Sequence, residues 1–232
     1  MKDAGDLFDE YAASYEQSLA QALGPSGESR EYFAEGRVAW LQRCLGEAMH
    51  SPRTILDFGC GDGATTPLLF NALKADRAVG IDISPKSLDL ARKSHATSQI
   101  GYESIHDFNA PESMDLAYCN GVFHHIPPKQ RAEALGIVHR ALRPGGLFSF
   151  WENSPWSPAT RYVMSRCAFD RDAIMLTPPE ARGLLREGGF EILRTDFRFI
   201  FPRGLRALRK IEDLLYRLPL GTQYQILCCK IR

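Results

Sequence analysis

Several absences narrow the chain before any motif is considered. No apolar run approaches the ~18 residues that cross a bilayer, so no transmembrane helix is expected. There is no charge excess: 28 Lys and Arg offset 28 Asp and Glu, removing the bulk attraction for a nucleic acid or an anionic surface. The first ten residues are acidic and lack the basic-then-apolar order of a secretory signal. None of the six cysteines (44, 60, 119, 167, 228 and 229) forms a CxxC pair, and no histidine cluster completes a zinc set, so no metal site is expected. The vicinal pair Cys228-Cys229 reads as two small strand residues facing opposite sides. Together these features predict a reduced, cytoplasmic protein with no nucleic-acid partner. Internal repeats and low-complexity tracts are also missing.

What is present fits one α/β domain over residues 1–232, with 44% hydrophobic and 24% charged residues. Residues 1–50 read as a helical N-terminal cap. Leu7, Phe8, Tyr11 and Tyr15 fall at helical spacing, and after a Gly-Pro-Ser-Gly break a second run takes in Tyr32, Phe33, Val38, Trp40 and Leu41. Over 51–151, short apolar runs alternate with helical stretches. Thr54–Phe58, Ala78–Ile83, Met114–Cys119 and Leu147–Trp151 read as strands, the last entered through a Pro144-Gly145-Gly146 turn. Ser84-Pro85 is a helix-start signal. Such alternation predicts βαβ units and a doubly wound, mainly parallel sheet. Residues 152–180, rich in Pro, Ser and Arg, read as a substrate-side insertion, and 181–232 as C-terminal helices and edge strands. There, Phe190–Phe201 and Tyr224–Ile231 are the strands, and Leu205, Leu208, Ile211, Leu215 and Leu218 share one helical stripe.

The central motif is Asp57-Phe58-Gly59-Cys60-Gly61-Asp62-Gly63, placed directly after a strand and before a helix. Glycines let the backbone turn sharply and let a ligand approach where a Cβ would stand. The following helix offers free N–H groups at its start. Gly59, Gly61 and Ala64 also satisfy the dinucleotide pattern G-x-G-x-x-A. The acids decide between ligands: Asp57 and Asp62 line the loop where a pyrophosphate would pass, and two carboxylates repel a dianion. They suit a ligand carrying a sulfonium or ammonium. Asp82, about twenty residues on, ends the second strand, where a carboxylate accepts from ribose hydroxyls. Asp107, near a third strand end, is placed to accept from an adenine amino group or to be an exposed loop residue.

Ile55–Gly63, Asp82, His106-Asp107, Met114–Pro127 and Leu142–Phe150, taken in order, resemble the successive motifs of class I methyltransferases that use S-adenosylmethionine (SAM). The resemblance implies a Rossmann-like seven-stranded sheet, its last strand antiparallel, with SAM at the carboxyl ends of the first strands. Phe8-Asp9-Glu10-Tyr11-Ala12 with Tyr15 resembles the cap helix of small-molecule members, which implies Tyr11 and Tyr15 as acceptor contacts. Similarity to ubiquinone-type O-methyltransferases implies that Arg37 holds the SAM carboxylate. It implies that Asp57, Gly59, Cys60, Gly61 and Gly63 form the cofactor loop and that Asp82 with Ile83 meets the ribose. Asp107, Phe108 and Asn120 would lie beside the adenosine.

Methyl transfer needs alignment of acceptor and methyl, and a base if the acceptor is a hydroxyl. His124 and His125, just past the fourth strand, are candidate bases or structural rim residues. Glu152 and Asn153 follow the fifth strand on the same rim and are placed to position an acceptor. Trp151, Trp156 and Tyr162 can line an apolar acceptor pocket or pack the insertion. The basic stretch Arg203, Arg206, Arg209 and Lys210 reads as a solvated face, with peripheral contact to an anionic membrane or a carrier protein as the other reading. No Asn-Pro-Pro-Tyr-like motif follows the fourth strand, which carries Asn120-Gly121-Val122-Phe123 instead. The expected activity is methyl transfer to a small-molecule or lipid-like acceptor, at oxygen. An NAD-dependent oxidoreductase and a non-catalytic binding protein of the same fold are the alternatives.

Overall fold

The computed structural model describes residues 23–167, 170 and 173–231. Seven strands form one sheet in the order β3-β2-β1-β4-β5-β7-β6. They are β1 Thr54–Phe58, β2 Arg77–Asp82, β3 Ile100–Ser104, β4 Met114–Asn120, β5 Leu142–Asn153, β6 Phe190–Arg198 and β7 Gln223–Lys230. The first five pair in parallel, and β7 runs antiparallel between β5 and β6. The strand order reverses between β1 and β4, and in such sheets the ligand crevice lies at that reversal.

The helices are α1 Arg30–Glu47, α2 Thr65–Leu73, α3 Pro85–His95, α4 Arg131–Ala141, α5 Pro158–Arg166, α6 Pro178–Glu187 and α7 Glu212–Leu215. They cover both faces of the sheet, which is why its central strands are apolar on both sides. In β1, Leu56 and Phe58 join a core that includes Leu135 and Val138 of α4 and Leu185 of α6. Ile55, pointing the other way, joins Leu41 and Leu45 of α1, Leu69 of α2 and Leu88 of α3. Cys228 and Cys229 divide between the same two faces. Helix starts follow local chemistry. The Ser84 and Ser157 hydroxyls accept from N–H groups of α3 and α5, with proline at the first turn of each. Thr177 and Glu180 form a reciprocal capping box on α6.

Three sequence expectations shift in the structure. Pro144-Gly145-Gly146 is a bulge inside β5, so Glu152 and Asn153 belong to the strand and do not follow it. The C-terminal leucine stripe lies largely on a 3₁₀ segment, Arg203–Ile211, that leads into α7. Tyr11 and Tyr15 fall outside the described residues. Among the described residues, no helix is long and apolar enough to cross a membrane.

Candidate active site

The carboxyl ends of β1, β2 and β4 open on a cavity of about 1190 Å³, above the ~300–1,000 Å³ of most small-molecule sites. Its floor is the glycine loop, where Gly59, Gly61 and Gly63 sit at φ of 72°, 56° and 77°. Their roles differ. A Cβ on Gly59 would lie 2.3 Å from Val122, and one on Gly63 would lie 2.7 Å from the Tyr102 ring. Both glycines serve close packing, and Gly63 does not line the cavity, contrary to its expected cofactor contact. A Cβ on Gly61 would meet nothing within 4 Å. Gly61 is therefore the loop position that leaves bare backbone open to the cavity.

Three carboxylates surround this loop. Asp82 holds it in place, accepting from the Gly61 N–H at 2.8 Å and the Ser84 N–H at 2.9 Å. The Ile83 N–H also bonds to the Asp82 carboxylate, which with about four lone-pair sites keeps acceptor capacity for a further donor. Asp57 is buried and accepts from the Thr66 hydroxyl at 2.7 Å. Burial pushes its carboxyl up to about 7, with Asp82 and Asp62 adding to the shift and the Thr66 hydroxyl opposing it. Burial also works against ionised Asp62, but the Arg30 guanidinium pairs with it through two bonds of 2.5 and 2.6 Å and holds it below the usual range. An acid-lined floor of this kind favours a cation and disfavours a pyrophosphate.

Cys60, Ile83 and Asn120 line the cavity as expected. Burial pushes the Cys60 thiol up, so it stays protonated and is no nucleophile. Arg37 is buried at the wall, donating to Tyr118 Oη and Gln223 Oε1 at 3.0 Å each. Two of its five N–H donors are committed in this way. Asp107 and Phe108 are placed differently from expectation. The turn after β3 brings Ile105 and His106 to the cavity, leaving Asp107 exposed and Phe108 packed on the core.

The histidine pair sits on the opposite wall. His124 is 3% exposed, and its Nδ1 lies 2.5 Å from Glu152 Oε2. Asp170 Oδ1 stands 3.5 Å from His124 Nε2 and 3.4 Å from His125 Nε2. Burial disfavours a charged His124, yet the two carboxylates push it up to about 10 and keep it an imidazolium. Burial and that neighbouring charge push His125 down to about 4, so it is neutral at neutral pH. The loop carrying both rings is pinned. Glu152 accepts from the Phe123 N–H, Arg131 donates to the Phe123 and Ile126 carbonyls, and Ile174 N–H bonds to the His124 carbonyl.

Of the expected acceptor contacts, Asn153 and Tyr162 line the cavity. Glu152 stands behind His124, fully buried, and acts through it. Trp156 is 45% exposed and stacks on Phe197 outside the cavity, while Trp151 is buried in the core. Of the two readings for these tryptophans, pocket lining or packing, the structure gives packing to both, which removes Trp156 from the acceptor contacts.

Sequence reasoning missed Arg30, Asp170 and Phe199. Arg30 and Asp170 reach their partners across long sequence separations and carry no local signal. Phe199 holds φ of 63° at the end of β6, and its carbonyl accepts from Thr222 N–H and Oγ1. Such a conformation costs a bulky residue ~1–3 kcal/mol. Its ring packs edge-on against Tyr32 and Phe33 to wall the cavity, and a Cβ on Gly36 would come within 2.7 Å of it.

Residues 55–146 match a family described as a methyltransferase domain. The chain is 31% identical over 141 residues to the malonyl-[acyl-carrier protein] O-methyltransferase of Pectobacterium atrosepticum, covering 58% of this chain and 52% of that protein. It is 30% identical over 156 residues to an uncharacterized methyltransferase of Synechocystis, covering 63% and 71%. A tRNA N(3)-methylcytidine methyltransferase of Drosophila melanogaster matches at 26% over 198 residues, covering 77% and 60%. The matched stretch thus spans 52% to 71% of these relatives' length. In overall fold, the chain resembles a SAM-dependent methyltransferase from Thermotoga maritima, with a TM-score of 0.69 at 18% identity over 98% of this chain and all of that one. With its glycine loop, its acidic floor and the carboxylate at the end of β2, the chain belongs to the class I SAM-dependent methyltransferase family.

Proposed function

We propose that the chain transfers a methyl group to an oxygen of a small or lipid-like acceptor, with His125 taking the acceptor's proton. The observation that carries this reading is a neutral imidazole, His125, lining the same cavity as Gly61 and Asp82. SAM supplies an electrophilic methyl on a sulfonium when bound. The donor set fits it: bare backbone at Gly61, acceptor capacity on Asp82, Asn120 beside them, and Arg37 for the carboxylate. The chain's own share is to hold that ligand, exclude water and align the acceptor.

His125 stays neutral because it is buried and because His124 beside it is held as a cation by Glu152 and Asp170. A neutral imidazole accepts the hydroxyl proton as the new oxygen–carbon bond forms, and then passes it to solvent. The cavity's size and the aromatic wall of Phe33 and Phe199 suit an acceptor with an apolar body. To test the reading, methyl-labelled SAM is offered with phenols, hydroxy and carboxylic acids, amines and tRNA in parallel. Label on oxygen of a small molecule is the expected result; label on nitrogen or on RNA contradicts it.

Two further outcomes follow from the floor. Asp82→Ala is expected to weaken SAM binding by roughly 1–3 kcal/mol, the scale of lost charge-assisted hydrogen bonds. Calorimetric affinity equal to the parent's would remove Asp82 from the ribose role. Asp57, pushed up to about 7, must be ionised to favour a sulfonium. SAM affinity should therefore rise up to about tenfold between about pH 6 and 8, since one pKa unit is worth ~1.4 kcal/mol. S-Adenosylhomocysteine, which lacks the sulfonium charge, should change less. Equal pH dependence for the two ligands would contradict the role of Asp57.

A further inference from the structure

The segment between β6 and β7 has an outer face that the methyl-transfer site does not use. Leu205, Leu208, Ile211 and Leu214 follow one another at intervals of three, and in a 3₁₀ helix side chains three apart eclipse. Leu208 and Ile211 share one line of the 3₁₀ stretch, Leu205 precedes them at a kink (φ −112°, ψ 24°), Leu214 follows in α7, and all four are exposed, Leu214 to 80%. Leu218 and Leu220, also exposed, extend the patch. Solvent-facing leucines grouped like this mark an interaction surface.

Charge indicates what covers it. Residues 203–220 hold five basic side chains against two acidic ones in a chain whose total charge is balanced. Both acids are turned to the protein: Glu212 is buried, accepting from the Ile200 and Phe201 N–H groups, and Asp213 pairs with Arg43 and Arg198. Arg209 is committed inward, to Glu28 and the Phe201 carbonyl, while Arg203 and Arg217 each donate one exposed bond, to the Gly27 carbonyl and to Tyr216 Oη. Arg203, Arg206, Lys210 and Arg217 are exposed around the leucines. A second copy of this face would bring like charges together. We infer that the face seats on an anionic lipid surface, its leucines at the acyl boundary and its basic side chains among the headgroups. The patch begins at Pro202, which with Phe201 lines the cavity, so the seated protein would turn its cavity toward the bilayer.

The test is co-sedimentation of the full chain with phosphatidylcholine vesicles, with and without about one-third phosphatidylglycerol. Binding to the anionic vesicles alone, weakened by salt, is expected. Leu208→Asp with Leu214→Asp should weaken it at least about tenfold, with SAM affinity and circular dichroism unchanged. Arg206→Glu with Lys210→Glu should do the same through charge. The inference is overturned if the parent chain ignores anionic vesicles. It is also overturned if the leucine variant binds as the parent does, or if that variant dissolves a dimer of a chain that never sediments.

Discussion

Gly61→Val is expected to weaken SAM binding at least about a hundredfold, roughly 2.8 kcal/mol at ~1.4 kcal/mol per decade, while the fold survives. The Cβ built on Gly61 meets only open space, so a valine side chain occupies the volume the ligand needs without striking the protein. Its backbone cost is a β-branched residue at φ of 56°, about 1–2 kcal/mol. Gly63→Val is the contrasting variant. Its Cβ would stand 2.7 Å from the Tyr102 ring and 2.8 Å from Ala91, so it should lose thermal stability before it loses a ligand contact. Calorimetry and thermal unfolding on the two variants separate the ligand-facing glycine from the packing glycine. A Gly61→Val protein that still binds SAM with the parent's affinity would contradict the assignment of the loop.

His125→Ala is expected to lower turnover about a hundredfold, the low end of the ~10²–10⁴ range for general bases, with SAM affinity unchanged. The parent's turnover should stay level through neutral pH and fall only as acid protonates His125, whose range is pushed down to about 4. Glu152→Gln should act indirectly. With one of the two carboxylates neutralised, His124 is a poorer cation; losing that charge outweighs losing the weaker upward pull of Glu152 on His125, so the His125 range rises and the acid limb should move toward neutral pH. Turnover fully retained in His125→Ala would remove it as the base. An acid limb unmoved in Glu152→Gln would leave Glu152 only the structural role of holding the Phe123 N–H.

The strand-to-loop-to-helix passage from Thr54 to Thr65 was legible because its signals are local: an apolar run, glycines at fixed offsets and acids among them. Asp82 was legible for the same reason. The strand alternation also implied the doubly wound sheet, since each βαβ unit is written in consecutive residues. Legibility failed where long-range packing decides. Asp107 and Phe108 stand one turn from the cavity because the backbone bends after Ser104, its carbonyl accepting from both of their N–H groups. Trp156 looked like pocket lining but finds its partner in Phe197, forty-one positions on. Arg30 and Asp170 serve the site only because α1 and the insertion fold back over it. The leucine stripe was read as helical and falls on a 3₁₀ segment and the short α7, with Leu218 beyond both; periodicity alone does not say whether a stripe faces a core or solvent.

Glu152, expected as an acceptor contact, shows the same limit in another form. It lies within β5 rather than after it, and its side chain is spent on His124 and the Phe123 N–H. The buried carboxylate and the imidazolium it sustains are what set His125 apart from its neighbour. Two adjacent histidines of equal rank in the sequence thus acquire opposite charge states from the partners each one meets.

The central claim, that this cavity binds SAM, is tested most directly by calorimetric titration of the full chain with SAM, S-adenosylhomocysteine and NAD in parallel. Binding of the first two and none of NAD is the predicted result. Binding of NAD alone, or of none of the three, would contradict it.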